Sequence, residues 1–168
     1  SGDPGKSLEY AQRALAVNSA SAHHWNGKGY ALIKLQRYPE AIPALETATR
    51  LQPDFVAALV NLGEAYLRAK QLGKAITTLE QALKLAPKAV DAQLFISQAY
   101  AGSGQTAKAK EQLSLLVRQA PNFAPAWGLM TVVSLSQGNQ PDALEAYTKL
   151  KLINPVMARE ISLAYRKQ

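Results

Sequence analysis

ATRLQPDF (48–55), ALKLAPKA (82–89), LVRQAPNF (116–123) and LKLINPVM (150–157) each carry a proline at the same place, and Pro53, Pro87, Pro121 and Pro155 follow one another at a fixed 34 residues. A period held over three intervals marks a repeat array, which must be recognised before any local element is read. Counting units from Ala22, Val56, Val90 and Ala124 aligns the text between the prolines. In the second unit Leu59, Leu62, Gly63 and Tyr66 fall at i, i+3, i+4 and i+7, one apolar stripe of a helix. After a turn at 70–73, Ala75, Leu79 and Ala82 form a second stripe. The other units repeat that second stripe as Ala41/Leu45/Ala48, Ala109/Leu113/Leu116 and Ala143/Tyr147/Leu150, with breaks at QRYP, GSGQ and QGNQP between the paired helices. Each unit predicts a helix–turn–helix hairpin closed by its proline, which cannot continue the hydrogen-bond ladder.

Trp25-x3-Gly29 with Ala41, Leu45, Ala48 and Pro53, and Leu59-x2-Leu62-Gly63-x2-Tyr66 with Ala75, Leu79, Ala82 and Pro87, resemble the tetratricopeptide repeat. The resemblance runs from Ala22 to Met157. It implies an all-α, right-handed α-α superhelix, a solenoid of four full hairpins over 22–55, 56–89, 90–123 and 124–157. A half repeat over 6–21 precedes them, with Ser7, Ala11 and Ala14 in the register of a second helix, and a helix over 158–168 follows, read as a capping helix or else as the first half of a fifth unit. The whole of 1–168 reads as a single domain, and the half repeat implies a chain that continues upstream. Several residues depart from the family pattern: Lys28 stands where leucine is usual, Gln93 where a bulky residue is usual, and Thr131 and Ser134 where glycine and tyrosine are usual. Pro43 falls inside a second helix, where it predicts a lost hydrogen bond and a bend.

Gly5-Lys6-Ser7 looks like the end of a phosphate-binding loop, but such a loop needs a glycine five residues ahead of Gly5 and a preceding strand. Only four residues stand upstream. In the repeat register the tripeptide is the approach to a helix. His23 and His24 are neighbours about 100° apart on a helix and cannot share a metal as an i, i+4 pair would. Glu40/Glu46 and Asp142/Glu145 occupy outward or turn positions, and Tyr66, Tyr100 and Tyr147 sit on core stripes. No catalytic, cofactor or metal residue is therefore expected. The 168 residues are 48% hydrophobic and 18% charged, with no cysteine and no long apolar run. That excludes disulfides, thiol chemistry and a helical membrane span while leaving the compartment open. The net charge of +7 comes from 19 Lys and Arg spread along the chain, which argues against a nucleic-acid track.

The resemblance further implies that positions 2, 5, 6, 9, 12 and 13 of each first helix face a concave groove that binds a protein partner, a peptide or an amphipathic helix. Asn26, Tyr30, Asn61, Glu64 and Arg68 would form its polar half. Leu94, Phe95, Gln98, Leu129 and Val132 would form its apolar half, unless the terminal helix covers them. Family members that clamp a C-terminal carboxylate use Lys-x3-Asn, Asn and Lys-x3-Arg on successive first helices. Only Asn61 has a counterpart here, with Asn26/Tyr30 and Asp91/Phe95 in the flanking places, so that clamp is not expected. The expected function is a non-catalytic interaction scaffold or adaptor, with end-to-end self-association open to an array of this kind. The alternatives are a nucleic-acid-binding helical repeat and a regulatory or assembly arm of a larger enzyme, secretion or envelope polysaccharide-export system.

Overall fold

Proline drives the residue before it out of the helical region. In the computed structural model, which describes residues 3–165, Gln52, Ala86, Ala120 and Asn154 all take φ between −145° and −130°. The second helices accordingly stop at Leu51, Leu85, Gln119 and Ile153. The described residues form ten helices and no strand: α1 (Pro4–Val17), α2 (Ala22–Lys34), α3 (Tyr38–Leu51), α4 (Val56–Arg68), α5 (Leu72–Leu85), α6 (Val90–Gly102), α7 (Thr106–Gln119), α8 (Ala124–Ser136), α9 (Gln140–Ile153) and α10 (Pro155–Tyr165). The four first helices begin at the residues from which the units were counted.

The turn inside each hairpin is built the same way four times. Gln36, Lys70, Gly104 and Gly138 take positive φ of 59°, 61°, 79° and 69°. The next N–H then reaches back to a carbonyl of the first helix: Arg37 to Leu32, Gln71 to Tyr66, Gln105 to Tyr100 and Asn139 to Ser134, at 2.8–3.0 Å. This six-to-one bond after a left-handed residue is the Schellman ending of a helix, and it satisfies carbonyls the ladder leaves over.

The helices fall into two compact units, one ending at Phe95 and one beginning at Ile96 within α6. In the first unit α2 pairs with α3 and α4 with α5, while α1 lies on α2 and α3 on α4. Ala41, Leu45, Ala48, Ala75, Leu79 and Ala82 are fully buried, as the stripes require. Gly29 and Gly63 let the helices of each hairpin approach, because a Cβ at either would overlap the Leu45 or Leu79 side chain. Pro43 lies on the exposed face of α3, which runs unbroken through it.

In the second unit Ala109, Leu113, Leu116 and Leu150 are fully buried. Thr131 and Tyr147 take the places that Gly63 and Leu79 hold in the second hairpin, and Thr131 turns its hydroxyl back to the Trp127 carbonyl at 2.9 Å. The larger residue at 131 is matched by a tyrosine that is only half-buried. α10 packs on α8 and α9 through Met157, Ala158 and Ile161.

Two boundaries differ from the expected ones. α1 begins at Pro4 rather than 6, because Asp3 caps it by accepting the Gly5 N–H at 2.8 Å and proline suits a first turn. α10 begins at Pro155 rather than 158, with the Asn154 side chain accepting the Met157 N–H at 3.0 Å. The fourth proline therefore opens a helix, while the other three lie in turns.

Candidate partner-binding groove

α2 and α4 pack side by side, so groove positions of successive hairpins meet. Asn61 donates its side-chain amide to the Asn26 carboxamide oxygen at 2.8 Å, a bond between residues 35 apart in sequence. The pair still presents the Asn26 amide N–H groups as donors and the Asn61 oxygen as an acceptor. One turn further along, Tyr30 is 46% exposed with the Lys34 ammonium 4.9 Å from its ring centre. Glu64 and Arg68 form an i, i+4 ion pair at 3.6 Å, the carboxylate far more covered than the guanidinium. At the helix starts the His23 ring tilts against Phe55 with centroids 4.7 Å apart. The five expected polar residues are thus brought together on one surface of the first unit. Ile33 and Leu67, at position 12, are buried and belong to the core instead.

The expected apolar half divides between the two units. Leu94 and Phe95 lie in the first, Leu94 buried and Phe95 half-buried. Gln98, Leu129 and Val132 lie in the second, all half-buried. α10 covers part of α8: a Cβ at Gly128 would stand 3.3 Å from Ile161 and 3.4 Å from the Met157 sulfur. Leu129 and Val132 keep part of their surface outside that cover.

Other repeat-equivalent contacts lie outside the groove and were not legible as sites. Tyr66 donates its hydroxyl to Glu46 of the preceding hairpin at 2.5 Å, and the Lys74 ammonium stands 5.3 Å from its ring centre. Lys108 stands over Tyr100 in the same way at 5.4 Å, 34 residues later. In the fourth hairpin the pattern changes sign, because Asp142 replaces that lysine and bonds Lys110 of α7. Lys28, at a position usually taken by leucine, extends its ammonium to 5.1 Å from the Trp25 ring centre. Comparing residues column by column at the 34-residue spacing is the signal that finds these contacts.

Among the described residues no group of three or more His, Cys, Asp or Glu could hold a metal, and no helix is long and apolar enough to cross a membrane. The hydrogen-bonded Arg37 guanidinium, at 2.6 and 2.7 Å, holds the exposed Glu40 carboxyl below its ordinary range. The two form a solvated ion pair at the start of α3.

Residues 1–44 and 28–90 match one family described as Tetratricopeptide repeat, and residues 66–133 match a second of the same description. No curated protein matches the sequence. The fold is similar to that of YrrB, described as a TPR protein with an unusual peptide-binding site, at 24% identity and TM-score 0.80 over 98% of this chain and 84% of that one. It is similar to MamA from Desulfovibrio magneticus RS-1 at 23% identity and TM-score 0.84, over 92% of this chain and 87% of that one. It is also similar to a thermophilic TPR protein of Thermus thermophilus at 20% identity and TM-score 0.78, over 95% and 87% of the two chains.

Proposed function

Because the chain belongs to the tetratricopeptide repeat family, we propose that its first helices hold a segment of a partner protein, and that this is the whole of its activity. Repeats of this family are generally non-catalytic interaction scaffolds. The finer reading rests above all on the Asn26–Asn61 hydrogen bond. It fixes two carboxamides side by side with a donor and an acceptor to spare, which suits the N–H and C=O of an extended peptide backbone. Tyr30 and Glu64 stand one turn away and Arg68 two, and they would read a side chain next to that backbone. Phe95, in the same unit, supplies half-buried apolar surface for an anchor. YrrB, which carries the same fold, is described with a peptide-binding site, which agrees with this use of the repeats.

Selection of binders from a random displayed-peptide library against the whole chain tests the reading. Peptides that bind the native chain should lose about tenfold in affinity with Asn61→Ala, the equivalent of about 1.4 kcal/mol. They should lose more with Phe95→Asp when helicity is unchanged. Selected peptides that bind both variants as well as the native chain would place recognition elsewhere.

A further inference from the structure

Tyr66 occupies a slot that its neighbouring hairpin leaves empty. At position 11 of α4 its ring lies below Lys74 of α5 and its hydroxyl reaches Glu46 of α3 at 2.5 Å, so one phenol fills the space between a first helix and the two second helices beside it. Thirty-four residues earlier, position 11 is Leu32, the counterpart of Glu46 is Gln12 and the counterpart of Lys74 is Glu40. Leucine lacks the outer half of the ring and the hydroxyl. At that place a cavity of about 350 Å³ opens between α1, α2 and α3, its wall made by Leu8, Leu32, Pro39 and Pro43 together with Gln12 and the charged Lys28, Arg37 and Glu40. A second cavity lies in the hairpin whose position 11 is Ser134, although Ser134 is itself fully buried and outside the cavity wall. This cavity of about 250 Å³ includes Ser114 and Asp142, the counterparts of Glu46 and Lys74. Leu32 thus lines the first cavity at position 11, and the second lies beside the counterparts of Glu46 and Lys74 in the same repeat frame.

We propose that the cavity between α1, α2 and α3 receives a tyrosine side chain carried by a partner protein. Leu8, Leu32, Pro39 and Pro43 give apolar walls for a ring, and the two prolines stand one turn apart on α3 with their faces exposed. Gln12 is an exposed carboxamide standing where Glu46 accepts the Tyr66 hydroxyl, so it offers an oxygen to an incoming phenol. Glu40, largely exposed, is paired with Arg37 through both of its oxygens. The volume is at the low end for ligand sites, enough for a single ring. The second cavity is the smaller of the two, and its wall carries charged side chains as the first does, with Lys110 bonded to Asp142. None of the walls of the first cavity belongs to the groove described above. The inference depends on the scaffold reading only for the protein nature of the ligand.

The test uses the whole chain and p-cresol, the tyrosine side chain in isolation. In methyl NMR titration p-cresol should give saturable shifts at Leu8 and Leu32, and toluene should bind about fivefold more weakly for want of the hydroxyl bond. N-acetyl-tyrosinamide should shift the same methyls. Leu32→Tyr with Gln12→Glu rebuilds the Tyr66 arrangement, so this variant should melt higher and bind no p-cresol. Should it fail to fold, Gln12→Leu at the exposed position decides, by abolishing the preference for p-cresol over toluene. Asn61→Ala should leave p-cresol binding unchanged, which separates this site from the groove. No saturable shift at Leu8 and Leu32, equal binding of toluene, undiminished binding in the refilled variant, or binding of p-cresol without N-acetyl-tyrosinamide would each overturn the proposal.

Discussion

The side-chain amide of Gln93 donates to the Pro87 carbonyl at 2.9 Å, the same bond that the indoles of Trp25 and Trp127 make to Ser19 and Pro121 at 2.8 Å. In each case the acceptor lies six residues upstream, in the turn that leads into a first helix. The second hairpin has Leu59 at this position and no donor to offer, and there Gln81 of α5 approaches the Pro53 carbonyl at 3.4 Å instead. Position 4 of the repeat therefore calls for an N–H at fixed reach as well as for bulk, and glutamine meets the first requirement while falling short on the second.

Gln93→Leu keeps most of the volume and removes the donor. Loss of the bond at this buried position should cost about 1 kcal/mol, read as a lower urea midpoint at unchanged slope. Gln93→Trp should recover the midpoint because its indole restores the N–H. Equal midpoints for Gln93→Leu and the native chain would show that the bond adds nothing.

The hairpins were legible because two simple signals recur together: a proline that ejects its predecessor from the helix, and alanine–leucine stripes at helical spacing. Helix starts at Ala22, Val56, Val90 and Ala124 follow from them directly. The turns were only half legible. Gly104 and Gly138 announce a left-handed residue, whereas Gln36 and Lys70 adopt it without any compositional sign. The exposure of the proposed polar residues was legible, since Asn26, Tyr30, Asn61, Glu64 and Arg68 are all partly or fully open. Position 12 misled, because it lies only about 40° around the helix from the glycine at position 8, and Ile33 and Leu67 follow that glycine into the core. The cavity at Leu32 was invisible in the sequence until Tyr66 showed what the repeat otherwise puts there.

Lys70→Gly should stabilise the chain by roughly 0.5–1 kcal/mol. Lysine at φ 61° holds its Cβ in the crowded left-handed region, a penalty that glycine does not have and that outweighs glycine's greater freedom when unfolded. Gln36→Gly should act alike, and the pair should add, since the two turns belong to separate hairpins. Thermal unfolding of the single and double variants measures this; a lower melting temperature in either single variant would show the left-handed residue unstrained.

Two glycines in α2 only two residues apart should respond oppositely to alanine. At Gly27 nothing stands within 4 Å of a new Cβ, so Gly27→Ala should gain about 0.5–1 kcal/mol from helix propensity alone. At Gly29 the new Cβ would overlap the fully buried Leu45 side chain, and Gly29→Ala should lose about 1–3 kcal/mol through overpacking. Denaturant midpoints of the two variants decide, and a change of the same sign in both would refute the close approach of α2 to α3.

Tyr66→Phe should reveal itself through pH. Burial, followed by the hydrogen bond to Glu46 and the charge on that carboxylate, raises the Tyr66 phenol well above its ordinary value near 10. The folded chain thus retains a proton that the unfolded chain gives up in alkali. The stability this confers is fully present below pH of about 10, and it drains away as pH climbs past the unfolded value, by up to about 1.4 kcal/mol for each pH unit. At pH 7 the variant should be weaker by about 1 kcal/mol for the lost hydroxyl bond. Between pH of about 9.5 and about 11 the native chain should fall faster, so the gap between the two closes, every other tyrosine and lysine being common to both. Parallel pH profiles for native and variant would mean that the Tyr66 hydroxyl is not held by Glu46 in the folded chain.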